Sequence, residues 1–133
     1  MDVEFGNAGK VDTNDTGWFI GFSQWAKCLP GNLRHVSQDS IAKSLCVKWY
    51  SHQTGDPNGE QKPISEGRTI SILVSEHGQF RLDYSPVPDF PEDTVRSYTL
   101  RSHGDYVIWG KGLYHRAFGE APSTILTIRW FGN

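Results

Sequence analysis

Gly104-Asp-Tyr-Val-Ile-Trp-Gly110-Lys-Gly112-Leu-Tyr-His115-Arg-Ala-Phe-Gly119 is the stretch on which the fold reading turns. Gly104 can supply the positive φ of a hairpin turn, Tyr106–Trp109 follows as a short apolar strand, and Gly110-Lys-Gly112 makes a tight turn before the next strand. His115 then projects from the strand just past that turn, where a side chain can sit at the mouth of a barrel.

The neighbouring sequence continues the pattern. Downstream, Tyr114–Phe118 and Ser123–Phe131 read as strands, the second alternating Leu126, Ile128 and Trp130 on one face. Upstream, Ser97–Arg101 is a further strand, and 85–93 holds three of the seven prolines, so it is a connection. Before it, Thr69–Val74 and Gln79–Tyr84 flank His77-Gly78 like the arms of a hairpin, with Phe80, Leu82 and Tyr84 alternating with polar neighbours. Residues 51–67 contain three Gly, two Pro and no apolar period, which predicts a long functional or mobile loop.

Earlier still, Leu45–Tyr50 is a strand with Leu45, Val47 and Trp49 on one face, and Trp18–Phe22 is an apolar strand candidate. Between them, Pro30-Gly31 and the polar 37–44 segment are turn-like. Residues 1–16, rich in Asp, Asn, Gly and Thr, read as a flexible N-terminal arm or an edge extension, leaving 17–133 as one β-barrel domain. No segment sustains a helical period over three turns, and many short strands with Gly/Pro turns predict an all-β sandwich or barrel.

Composition narrows the function. In 133 residues the net charge is −2, so no basic excess exists to neutralise phosphates, and neither a nucleic acid nor a membrane partner is expected. No apolar run reaches about 18 residues and the first residues lack a basic-then-apolar order, so a cytoplasmic protein is expected. Cys28 and Cys46 lack CxxC spacing and are expected to be buried thiols. GxSxG, HExxH, GxGxxG and phosphate-loop patterns are absent.

The 104–119 stretch resembles the second motif of the cupin superfamily, G(x)5PxG(x)2H(x)3N: Gly104, Gly112 and His115 stand in register, while Gly110 replaces Pro and Gly119 replaces Asn. The resemblance covers roughly residues 45–130 and implies a single-domain double-stranded β-helix, a jelly-roll barrel with little or no helix. Gly78 resembles the centre of the first motif, G(x)5HxH(x)3,4E(x)6G, but the chain has no HxH. Ser71, or Thr69 with a longer turn, falls where that motif has Glu, and neither hydroxyl is a good divalent-metal ligand.

The resemblance therefore implies a small-molecule binding domain whose usual metal site is lost or incomplete, taking a small polar or carboxylated ligand at the barrel mouth. His52, Lys48, Arg81 and His115 are the candidate ligand-binding residues. Two alternatives stand beside this reading. In the first, His52, Glu60 and His115 hold Fe, Mn, Ni or Zn in a cupin dioxygenase or isomerase. In the second, His115 works as acid or base with Tyr50 or Asp83 in a metal-free epimerase or cyclase.

An interaction or regulatory module using the 51–67 loop is a further reading, and the resemblance implies a homodimer. Two side-chain expectations complete the picture. The tryptophans, Trp18, Trp25, Trp49, Trp109 and Trp130, are expected mainly in the core. Lys48, Arg81, Asp83 and Arg129 lie in strand-like segments and are expected to face mostly outward, although Arg116 and Arg129 could also grip a carboxylate.

Overall fold

The computed structural model describes residues 1–21, 33–36 and 43–131. Among these residues there are eight strands: β1 (Val3–Asn7), β2 (Lys43–His52), β3 (Arg68–Leu73), β4 (His77–Ser85), β5 (Arg96–Ser102), β6 (Asp105–Trp109), β7 (Tyr114–Ala121) and β8 (Ser123–Phe131). The only helical element among them is a single 3-10 turn, Glu92–Thr94. A five-stranded sheet in the order β1-β6-β3-β8-β2 faces a three-stranded sheet in the order β5-β4-β7, and every pairing is antiparallel. This is the jelly-roll barrel expected from the sequence.

The central strands of the large sheet are covered on both faces. In β6, Val107 and Trp109 point into the barrel while Tyr106 and Ile108 point out, and all four are buried. In β3, Ile70 and Ile72 join Tyr106, Ile108 and Trp130 in an outer core. The opposite parity, Thr69, Ser71 and Leu73, faces inward. Phe19, Ile20, Leu33 and Val36 lie over the outer core. Arg68 pins this cover by donating from Nη1 to the carbonyls of Leu33, at 2.9 Å, and His35, at 2.6 Å. Glu4 joins it to the sheet, accepting from Arg34 Nε and from the Tyr106 hydroxyl at 2.7 Å.

Several sequence expectations change here. Gly17–Gly21 forms no strand: Gly21 makes an isolated bridge to His35, and Phe19 and Ile20 serve as cover. Phe22, Trp25, Cys28 and Pro30-Gly31 lie outside the described residues. Of the two readings of residues 1–16, edge extension holds for Val3–Asn7, which pairs with β6. β3 and β4 are not a hairpin. They belong to different sheets, the bend falls at residues 74–76, and Gly78 lies within β4, where a Cβ would stand 2.8 Å from both Leu73 Cδ1 and Ser123 Oγ.

Trp109 and Trp130 are buried, but Trp18 and Trp49 are 68% and 65% exposed, because both strand and cover leave those side chains at the sheet's margin. Cys46 is an exposed free thiol for the same reason, since β2 is the edge strand.

The 53–67 segment carries no regular strand, yet it is fastened along the outer edge of β7. Gly59 N–H donates to Ala117 O at 2.9 Å, Lys62 N–H to His115 O at 2.9 Å, and Ser65 N–H to Leu113 O at 2.8 Å. The edge of β7 is thus satisfied rather than left open. Gly119 sits where this segment comes closest, and a Cβ there would collide with the Asp56 carbonyl. Gly119→Ala is expected to lower stability by about 2 kcal/mol, in the range of an overpacked core, read as a shift in the urea midpoint.

Candidate functional site

Strand parity brings one set of side chains into the barrel. Lys48, Tyr50 and His52 alternate along β2, facing Thr127, Ile125 and Ser123 of β8. His115 of β7 pairs with Tyr84 of β4, and Leu82 pairs with Ala117. All of these except Ser123 and Tyr84 join Arg129, Ser71, Phe80 and Trp109 in lining a cavity of about 330 Å³. An adjoining outer chamber of about 440 Å³ shares Lys48, Lys62, His115 and Arg129 with it and is closed by residues 63–67, Thr69 and Phe131.

Two histidines stand in this space. His115 lies over Trp109, with ring centroids 5.1 Å apart, and its Nδ1 is buried without a hydrogen-bond partner. Burial lowers its pKa to about 4, helped by the charges of Arg129, Lys62 and Lys48. His52 packs between Tyr50 at 4.5 Å and Phe80 at 4.9 Å. Its Nδ1 is 3.8 Å from Asp56 Oδ2, an electrostatic contact too long for a hydrogen bond. Burial lowers its pKa, and Asp56 offsets part of the effect.

The cations are arranged differently. Arg129 Nε donates to Thr69 Oγ1 at 3.0 Å, and Thr69 is itself buried. Lys48 makes no ion pair among the described residues, and Lys62 reaches only the exposed Glu60, at 3.8 Å. The expectation that most strand charges face outward is therefore corrected for Lys48 and Arg129, which line the cavity. It holds for Arg81 and Asp83, whose parity is opposite to that of Phe80 and Leu82.

Arg81 thus lies away from the cavity where the sequence reading had placed it as a ligand-binding residue. It packs over the Phe118 ring at 4.1 Å and pairs with Asp83 and Glu120. Asp83 is buried on that outer face, accepting from Ser97 Oγ at 2.6 Å and Arg116 Nε at 2.9 Å. Arg116, paired in this way, is likewise turned from the cavity, and Asp83 is no partner for His115. Tyr50 does line the cavity with His115.

Glu60 does not join the histidines. It is exposed and is absent from the walls of both chambers. Among the described residues no three His, Cys, Asp or Glu side chains converge as a metal would need. The cavity positions facing His115 carry Ser71, Thr127, Lys48 and Arg129, and positive charge there opposes a divalent cation. The residues present do not fit a cupin metal cage.

Lys62 and Trp109 are wall residues that the sequence reading did not place in the site, and Arg129, weighed there as a grip on a carboxylate, was expected to face mostly outward. The signal for Arg129 was its parity with Thr127 and Ile125. What hid it is that the opposite face, Leu126, Ile128 and Trp130, is the more apolar one and packs the outer core.

The sequence matches no protein-family model and no curated protein. Several solved structures share the fold. Streptomyces albus HEPD with 2-hydroxyethylphosphonate and Fe(II) bound aligns at a TM-score of 0.52 and 15% identity, over 67% of this chain and 18% of that one. The hydroxypropylphosphonic acid epoxidase of S. wedmorenis, in complex with fosfomycin, aligns at 0.51 and 10% identity, over 65% of this chain and 43% of that one. The chain thus spans less than half the length of either structure.

Fold and site together define a cupin-like jelly-roll barrel with a cationic interior. Among the described residues no helix is long and apolar enough to cross a membrane.

The depressed histidines set a pH dependence. An unfolded chain takes up the His115 proton near 6.5 and the folded one only near 4, so stability is full above pH 6.5 and is lost as pH falls from 6.5 towards 4. His52 acts in the same direction. Urea unfolding at pH 7 and pH 4.5 is expected to differ by about 2–3 kcal/mol from His115, and His115→Gln should remove most of that difference.

Proposed function

We propose that this protein is a cupin-like binding domain that holds a small carboxylated molecule in its barrel, with the superfamily's metal chemistry lost. The observation that carries this reading is the cluster of Lys48, Lys62 and Arg129 around His115 at a cavity wall, with no converging ligand set for a metal among the described residues. Burying an anion beside these cations replaces its hydration with charge-assisted hydrogen bonds. His115 is neutral at physiological pH and leaves the anion to the lysines and the arginine.

Acetate titration followed by amide chemical shifts tests this. Shifts are expected along Thr127–Arg129 and around His115, and Arg129→Gln should weaken binding at least tenfold, the loss of a charge-assisted hydrogen bond. Arg81→Gln, on the far face, should leave it unchanged. Stoichiometric Fe, Mn, Ni or Zn in the purified protein, lost in His115→Ala, would instead favour the metal-dependent dioxygenase or isomerase reading and overturn this one.

The protein is further proposed to act as a cytoplasmic homodimer joined through β2. Among the described residues this ten-residue strand is an edge of the large sheet and exposes Leu45, Val47 and Trp49 in a row, the kind of edge that pairs with another chain. Sedimentation is expected to give a dimer at micromolar concentration, and Val47→Lys a monomer. A wild-type monomer would contradict the proposal.

A further inference from the structure

Granted an anion at Lys48, Lys62 and Arg129, on which everything in this subsection rests, the walls beyond the cations indicate what the anion is attached to. The floor of the inner chamber is apolar: Phe80, Leu82, Trp109, Ala117 and Ile125. Its two aliphatic hydroxyls, Ser71 and Thr127, are bonded to each other at 3.0 Å. The Tyr50 ring, held against His52, closes one side. A bare inorganic anion would occupy only the cationic belt and leave this floor facing water, forgoing the gain from covering it.

The belt also selects the head group. Thr69 fixes Arg129 through Nε, so the two terminal nitrogens of the guanidinium are left for a ligand, a fork that matches the two oxygens of a carboxylate. On either side of the belt stands an acid: Asp56 lines the inner chamber and Glu66 the outer. A second negative charge on the ligand would therefore meet a carboxylate whichever way it pointed. One charge is accommodated at the waist between the chambers, and two are not.

We infer that the ligand is an amphipathic monocarboxylate, a single carboxylate on a compact ring or branched apolar body. The body enters first and lies between Tyr50 and the floor formed by Phe80, Leu82 and Trp109. The carboxylate stays behind on Arg129, flanked by Lys48 and Lys62. Selectivity among acids is then set by the floor, and selectivity against dianions by Asp56 and Glu66.

The test is an affinity panel on the full chain, using acetate, phenylacetate, phenylphosphonate and succinate as probes, read by NMR titration. Phenylacetate is expected to bind at least tenfold tighter than each of the other three. Leu82→Phe and, independently, Ala117→Leu fill the inner chamber and should erase the advantage of phenylacetate over acetate while acetate still binds, which also shows that the variants are folded. Equal affinity of the wild type for acetate and phenylacetate would overturn this inference and leave the anion reading standing. Tighter binding of phenylphosphonate or succinate would overturn the monocarboxylate assignment. Absence of binding for all four would sink the anion reading itself.

Discussion

The central strands of the large sheet must bury both of their faces, and this constraint governs the rest of the molecule. Past Arg68 and Asp105 at their starts, every residue of β3 and β6 is buried, so their sequences read as near-continuous buried runs with apolar residues on both parities. The outer face takes Ile70, Ile72, Tyr106, Ile108 and Trp130, and needs Phe19, Ile20, Leu33 and Val36 to cover it. The inner face is left with a mixed set, in which Thr69, Ser71 and Thr127 lie between the apolar ends of the barrel. Because β3 and β8 turn their more apolar parity outward, the barrel has room inside for polar and charged walls, and a cavity is the physical result.

Electrostatics then separates the two faces of the small sheet. On its outer face the central charges are matched: Asp83 is held by Ser97 and Arg116, and Arg81 lies near Asp83 and Glu120. On its inner face His115 meets the cations of β2, β8 and the 53–67 segment, and its proton affinity falls accordingly. The arginines 81 and 129 look alike in sequence, each inside an alternating strand. One lies in a matched outer-face network, and the other is positioned by a single neutral hydroxyl that leaves its charge unmatched.

Much of the fold was legible because period-2 alternation is local. Ser123–Phe131 has the bounds read from sequence, most other strands differ by a residue or two at their ends, and β7 runs three residues past the Phe118 at which the sequence reading stopped it. Sheet membership was not legible: His77-Gly78 has the punctuation of a hairpin but opens β4, and the chain passes from one sheet to the other at residues 74–76. Parity was legible, but its sense was not. Alternation places Leu126, Ile128 and Trp130 on one face and Arg129 on the other, yet only the presence of a second core reveals that the apolar set points away from the barrel. Lys48, Tyr50, His52 and His115 were found because the resemblance supplied that sense for their strands. Arg129 and Lys62 had no such guide, and Glu60 and Arg81 were drawn in by residue type alone.

The backbone bonds between the 53–67 segment and β7 have an evolutionary consequence. Because Gly59, Lys62 and Ser65 dock through main-chain groups onto Ala117, His115 and Leu113, the path of this segment is independent of the side chains at positions such as 60, 62 and 66. Of these, the side chains at 62 and 66 border the chambers without carrying the fold. Descendants of this chain can therefore exchange charge at the cavity wall one residue at a time, altering what the barrel accepts while the glycines keep the segment in phase with the strand.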